Sequence, residues 1–243
     1  CVVVANDRNN LPMFPLCALK VGYNPDFLLG AKSDFVVKGD LSEILPFITG
    51  STEKVSRPVF SRNEVIRETI HIGGILVPLF CKYLLNYHIA AILVLLFTLF
   101  YIVSEIARLE GINFPVIHAI TRKAASEQEL HNFGLDPVSF ALGIFFSLIL
   151  FPVPINYASI AILTLGDSAA IIFGKKFGRT VFPFNRGKRV EGTVFGFFFA
   201  FVGALIFVEP VKALIGAAVG MWAECLPLPV SDNLTIPLAA GLA

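Results

Sequence analysis

Beyond about residue 65 the chain is a succession of apolar runs, and their length constrains the fold more than any other feature. A bilayer core takes roughly 17–25 apolar residues per helix. The runs read as spans at Ile70–Leu85, Ile89–Ile106, Val138–Val153, Ile155–Phe173, Val194–Val208 and Val211–Leu226, with a seventh opening near Leu234. They are continuous rather than alternating, which excludes the strands of a half-buried sheet. Their glycines and prolines are tolerated in membrane helices. A composition of 56% hydrophobic and 15% charged residues agrees, since about a quarter of a soluble domain is charged. The expected fold is an all-α integral membrane protein with about six to seven transmembrane helices, preceded by a small α/β soluble stub. The expected boundaries are 1–55 for the stub, 56–66 for a linker and 67–243 for the membrane domain. The chain opens at Cys1 on a strand-like Val2-Val3-Val4 and closes at Ala243 inside an apolar run, so it is expected to be a piece of a longer product. Cys1, Cys17, Cys81 and Cys225 have no metal or CxxC spacing and are expected as buried thiols rather than a disulfide framework.

The connections alternate in character. Arg108, Arg122, Lys123, Glu127, Glu129 and Asp136 lie between the second and third runs, and Lys175, Lys176, Arg179, Arg186, Lys188 and Arg189 between the fourth and fifth. The turns at Asn86-Tyr87, Pro152-Val153-Pro154 and Glu209-Pro210 are short and almost uncharged. The Lys/Arg bias puts the long loops and the N-terminal segment on the cytoplasmic side. Residues Ile112 to Ala125 have the pattern of an amphipathic interfacial helix. A net charge of +1 gives no reason to expect nucleic acid as a partner; oligomeric state is not readable.

The unusual polar residues fall on that same side. His71 follows Arg67 by four at the start of the first run, while Glu105 and Arg108 end the second. Asp167 lies in the fourth, Glu191 opens the fifth, and Asp232-Asn233 follow the sixth. A carboxylate inside an apolar helix is expensive and marks a functional site. Asp167, Asp232 and Glu191 are hard oxygen ligands suited to Mg²⁺ or another divalent cation on substrate phosphates. Lys175, Lys188, Arg189 and Arg108 can neutralise phosphate charge, and Gly166, Gly174, Gly178 and Gly192 let backbone approach it closely. Asn233 adds a polar contact, and His71, Glu105 or Asp232 can serve as the base. Bland readings stand beside these: Lys175 and Lys176 as headgroup anchors, Glu105 with Arg108 as a structural ion pair, His71 as a hydrogen-bonding partner of a neighbouring helix. His88, His118 and His131 are expected at the surface or interface.

Five motifs in order carry a resemblance. They are Arg67-x-x-x-His71-x-Gly73; Ser104-Glu105-x-x-Arg108; Gly166-Asp167-x-x-Ala170-x-x-x-Gly174-x-x-x-Gly178; Lys188-Arg189-x-Glu191-Gly192-Thr193; and Ser231-Asp232-Asn233-x-x-x-Pro237. The chain from Arg67 onward resembles the polyprenol kinase family, which includes dolichol kinase, phytol kinase and the CTP-dependent diacylglycerol kinase and is related to the CTP-transferases that make CDP-lipids. The resemblance implies a multi-span enzyme using CTP and a divalent cation to phosphorylate the hydroxyl of a long-chain lipid alcohol. A CDP-lipid-forming cytidylyltransferase is the alternative, although the long basic signature of phosphatidate cytidylyltransferases is absent. A transporter would require inverted repeats and sites reachable from both faces, and a mere anchor leaves the clustered acids unexplained.

The first fifty residues resemble the C-terminal part of a HAD-type phosphatase: Val2-Val3-Val4-Ala5 through Leu11-Pro12-Met13 as its last strand and metal-binding loop, Lys20–Asn24 and Ala31–Val37 as short strands, Asp40–Leu45 as a closing helix. Aligned so, the two family aspartates become Asn6 and Asn10 beside Asp7, and the stub is expected to be inert.

Overall fold

The computed structural model describes residues 2–25, 27–37, 44, 48, 62–110, 133–185 and 187–243. The chain divides into two compact units, one of Cys1–Val59 with Val181–Lys188 and one of Phe60–Thr180 with Arg189–Ala243.

In the first unit three strands pair in parallel in the order β1 (Val2–Ala5), β2 (Leu19–Tyr23), β3 (Phe35–Val37). Val2 stands opposite Leu19 and Val21 opposite Phe35. Parallel neighbours need crossovers, supplied by a 3₁₀ segment (Arg8–Leu16) and a short helix α1 (Phe27–Lys32). Val3, Ala5, Phe14 and Leu29 form one small apolar core; Val21, Val37 and Ile44 form another. Asp7 caps the 3₁₀ segment, accepting from the Asn9 backbone at 3.3 Å and the Asn9 side chain at 3.0 Å. The expected α/β layer is therefore present, while the closing helix Asp40–Leu45 lies, Ile44 apart, outside the described residues. Cys17 is disulfide-bonded, a correction to the expected four thiols; Cys81 and Cys225 are free and buried.

The second unit is helical. Its elements are α2 (Arg62–Gly73), α3 (Leu76–Tyr83), α4 (Tyr87–Leu109), α5 (Leu135–Leu150), α6 (Ile155–Ala161), a π-helical segment (Ile162–Asp167), α7 (Ser168–Phe177), α8 (Val190–Ala204), α9 (Pro210–Cys225) and α10 (Asp232–Leu242). Two continuous helices, Tyr87–Leu109 and Ile155–Phe177, are long and apolar enough to cross a membrane, at 23 residues each. The other apolar helices are shorter, 16 residues in α5 and α9 and 15 in α8. Helix length thus supports two spans where six to seven were expected. The expected run Ile70–Leu85 is two helices: the chain turns at Gly74, whose amide donates to the carbonyls of His71 and Ile70 at 2.9 and 3.2 Å. A Cβ on Gly74 would lie 2.8 Å from both Phe140 and Thr164, so the turn is pressed against α5 and the π segment. The interfacial helix expected from Ile112 to Ala125 lies outside the described residues, with His118 and His131.

Many large apolar side chains point outward, and small residues line much of the interior beside Leu148, Ile160, Leu163, Met221 and Ile236. Ile92, Leu96, Phe97, Phe198, Val211 and Trp222 are exposed, whereas Ala90, Ala200, Ala204, Ala213 and Ala217 are buried. Lipid gives no hydrophobic reward for hiding a leucine, so helices in a bilayer pack through small residues. The helix Ile155–Phe177 is the centre of the bundle, and 78% of its most apolar window is buried.

That central helix and α8 meet backbone to backbone. Gly166, Ala170 and Gly174 recur at i+4 and face Gly192, Gly196 and Ala200, also at i+4. A Cβ on Gly192 would lie 2.5 Å from the Ala170 carbonyl oxygen and 2.8 Å from the Gly174 Cα; one on Gly166 would lie 2.9 Å from Ala200 and Met221. The loop joining the two helices is pinned by Glu191, whose Oε1 accepts from the Thr180 amide and hydroxyl, both at 3.0 Å, and whose Oε2 accepts from the same amide at 3.1 Å. Accepting its own backbone N–H, then those of Arg179 and Thr180, lowers the Glu191 carboxyl from its ordinary 4.5 to about 2.

Two outcomes follow for stability. Gly192→Ala is expected to cost about 1–3 kcal/mol through overpacking of the seam, read as a lowered thermal midpoint in detergent; an unchanged midpoint would remove the seam from the account. Because Glu191 titrates lower folded than unfolded, its contribution is complete above pH 4.5 and fades as the pH falls through about 2. The stability gap between the protein and Glu191→Gln should therefore be open at pH 7 and close across that window. A gap independent of pH would show that the carboxylate charge is irrelevant to the loop.

Candidate functional site

Helix α2 runs antiparallel to the central helix, and their facing residues form a ladder. Glu64 pairs with Lys175 at one end. Next comes Glu68, beside the Ser168 hydroxyl. Then His71 Nδ1 lies 4.0 Å from Asp167 Oδ2, and Gly74 packs on Thr164 at the closed end. Glu64, Glu68 and His71 recur at four and three residues, the spacing that keeps side chains on one helix face. Every level between the ends is buried: Glu68 2%, His71 7%, Asp167 4% and Ser168 0% exposed.

The local backbone explains why Asp167 arrives there. The π segment ends at Asp167, and one extra residue per turn rotates the helix face relative to a regular α-helix. Gly166 is turned to α8 and Met221, while Asp167 is turned to α2. The His71 ring stacks on Phe140 of α5, with centroids 4.2 Å apart and planes 5° apart. Arg67 sits above, 27% exposed, its guanidinium 3.5 Å from Glu68 and 3.6 Å from Asp136 of α5.

Helix α5 also connects the ladder to the start of α10. Phe140 holds His71, and its neighbour Ser139 accepts from Asn233 Nδ2 at 3.4 Å and from Ser231 Oγ at 3.1 Å. Ser231 caps α10, and a Cβ on Gly143 would lie 2.1 Å from the Asn233 carbonyl oxygen, so α5 and α10 touch here. Asn233 is buried, its Oδ1 without a hydrogen bond among the described residues, while Asp232 is partly exposed in the first turn of α10.

Other expected site residues have different work. Arg108 donates to Glu105 Oε2 through Nε at 3.0 Å and to Oε1 through a terminal nitrogen at 2.6 Å. Glu105, 1% exposed, also accepts from the Gly134 amide at 2.9 Å, holding the start of α5. This is the structural ion pair, and it ties up the carboxylate proposed as a base and the cation proposed for phosphate. Glu191 has both oxygens on Thr180, so its carboxylate holds the loop that follows the central helix. Among the described residues no group of three or more His, Cys, Asp or Glu side chains is placed to hold a metal ion. Gly166, Gly174 and Gly192 admit another helix rather than a phosphate, because α8 and the central helix fill the space at their Cα atoms. Gly178 is covered by the stem of Arg189, whose Cγ would lie 2.7 Å from a Cβ there. Lys188 belongs to the first unit. Glu224, buried in α9, accepts from Thr193 Oγ1 at 2.9 Å.

Two ladder residues, Glu68 and Ser168, are not among the expected site residues. Glu68 lies three residues before His71. Ser168 passed as a spacer in the Gly166-Asp167 motif. The available signal was the shared face: helical spacing aligns Glu68 with His71.

Several known proteins are similar to this chain. Phytol kinase 1, chloroplastic, of Arabidopsis thaliana is 29% identical over 150 residues, covering 54% of this chain and 48% of that protein. A probable phytol kinase, chloroplastic, of Zea mays is 27% identical over 146 residues, covering 52% and 47% respectively. A probable phytol kinase 2, chloroplastic, of Glycine max is 28% identical over 125 residues, covering 44% and 43%. No family model and no solved structure matches. The chain spans about half the length of the curated relatives it matches.

Proposed function

We propose that this chain carries the phosphoryl-transfer site of a membrane kinase that uses CTP to phosphorylate the hydroxyl of a polyprenol- or phytol-type lipid alcohol. The observation that carries the reading is the His71–Asp167 contact, a buried imidazole and carboxylate 4.0 Å apart on two helices of an apolar bundle. Similarity to phytol kinases supplies the reaction class. CTP as donor rests on the motif resemblance.

The donor set suits a hard divalent cation such as Mg²⁺. Asp167 is a buried oxygen donor, and Asp232 is a second carboxylate at the start of α10. Such an ion needs only one or two protein carboxylates, the rest of its shell being phosphate and water. When bound, it would neutralise charge on the nucleotide phosphates. Phosphoryl transfer depends on positioning and charge stabilisation rather than covalent chemistry by the protein. Arg67, partly exposed above the ladder, and Arg189 at the start of α8 supply positive charge on the nucleotide side. His71 is the group best placed to take the proton of the lipid hydroxyl, since Glu105 is held by Arg108 and Gly134. Phe140 fixes the plane of its ring.

An apolar groove of about 350 Å³ between α3 and α4, lined by Val77, Phe80, Leu85, Ala90 and Val94, suits an isoprenoid tail. It begins six residues beyond His71 in the sequence. The site lies on the Lys/Arg-rich side, which we assign to the cytoplasmic face.

Membranes containing the protein should transfer label from γ-labelled CTP to a lipid alcohol, leaving CDP. Asp167→Asn should lower this rate by about 10²-fold or more while the variant still inserts into membranes. Near-normal transfer by a folded Asp167→Asn protein would remove the aspartate from the mechanism. Pyrophosphate and a CDP-lipid formed from a lipid phosphate would replace the kinase by a cytidylyltransferase.

A further inference from the structure

We propose that Glu68 is a ligand of the same divalent cation, reaching it from α2 together with Asp167 and the Ser168 hydroxyl of the central helix; the proposal rests on the cation-dependent reading above. Glu68 is 2% exposed, and both of its carboxylate oxygens are buried without a hydrogen bond among the described residues. Ser168 is wholly buried, and its hydroxyl also has no hydrogen-bond partner there. The two lie side by side without meeting hydrogen-bond geometry. One level along the ladder, His71 Nδ1 is likewise unbonded, 4.0 Å from Asp167. Glu68, Ser168 and His71 thus put three buried polar groups without hydrogen bonds among the described residues on the neighbouring levels of the ladder that Asp167 joins.

Arg67 does not resolve this arrangement. It is the neighbour of Glu68 on the same helix and its ion-pair partner. Its Nε is 3.5 Å from one oxygen, and it makes no hydrogen bond to Glu68. A buried carboxylate without full pairing is costly. A hard divalent ion resolves the arrangement: it takes several oxygen ligands, and two carboxylates balance its charge. Carboxylates from two helices and the Ser168 hydroxyl would supply three such ligands and leave positions for phosphate oxygens. Glu191 cannot take this place because Thr180 occupies its oxygens. The ion would also join α2 to the central helix, so cation binding would stabilise the bundle.

The test uses the full chain in detergent, with Mn²⁺ as probe and neither nucleotide nor lipid alcohol present. Electron paramagnetic resonance of free Mn²⁺ should report binding by the unsubstituted protein, weakened about ten-fold or more in Glu68→Gln and in Asp167→Asn, and unchanged in Glu191→Gln. Mn²⁺ should raise the thermal midpoint of the unsubstituted protein and not that of Glu68→Gln. Without cation, Glu68→Gln should be at least as stable as the unsubstituted protein, because it removes an unmet buried charge. Normal Mn²⁺ binding by Glu68→Gln overturns the proposal. So does its failure to fold in cation-free detergent, which would make the carboxylate a structural partner of Arg67. Absence of Mn²⁺ binding to the unsubstituted protein at millimolar concentration overturns it as well. If the Mn²⁺ pattern holds while no lipid alcohol accepts label, the cation site stands and the kinase reading fails. If lipid phosphate forms without that pattern, the kinase reading stands and Glu68 is excluded.

Discussion

The backbone contact between the central helix and α8 is the constraint around which the bundle is arranged. Gly166, Ala170 and Gly174 on one side and Gly192, Gly196 and Ala200 on the other leave no side-chain layer between the two helices. In lipid, where apolar side chains gain nothing by hiding, such an approach earns its stability from dispersion and close carbonyl contacts. It also commits one face of the central helix. The opposite face is left for α2, and that is where the ionisable residues gather. The lock of Glu191 on Thr180 secures the connection between the paired helices, so the close contact and the polar ladder are positioned by the same loop.

A π segment is what allows both faces to be served at consecutive residues. Gly166 must turn toward α8 and Met221, while Asp167 must turn toward His71. The segment Ile162–Asp167 departs from α-helical winding immediately before this pair. Such insertions carry worse hydrogen-bond geometry and recur at functional sites. Burying Glu68, His71 and Ser168, each with a side-chain polar atom that has no hydrogen bond among the described residues, adds a further cost, since buried polar groups are normally hydrogen-bonded.

Much of the helical framework was legible from apolar periodicity. The runs at Ile89, Val138, Ile155, Val194 and Val211 correspond to α4, α5, the central helix, α8 and α9, with ends moved by a few residues. The break at Gly74 was not legible, because glycine in a membrane helix is uninformative until one sees Phe140 and Thr164 pressed against it. The shortness of α8 and α9 was hidden for a similar reason: Leu205 to Val208 and the residues after Cys225 are apolar but leave the helix. For the site, His71 and Asp167 announced themselves as polar residues within apolar runs. Glu68 did not, because a glutamate just ahead of such a run looks like an ordinary solvated charge. Its burial is tertiary, produced by packing of α2 on the central helix.

Asp167 and Glu191 flank one loop and share one chemistry, yet their surroundings assign them opposite tasks. Glu191 stands at the first turn of α8, where unpaired backbone amides and the helix dipole favour a negative charge. Its carboxyl is held down to about 2 by those amides, and both of its oxygens accept from Thr180 in the loop. Asp167 stands in mid-helix, where the amides are already bonded to carbonyls one turn back and none is available to a side chain. It faces the His71 imidazole at 4.0 Å. A carboxylate satisfied by backbone amides at a helix start is a structural part; Asp167 instead faces a side chain of another helix. Counting carboxylates along the sequence could not separate the two, because the difference lies in whether free amides are within reach.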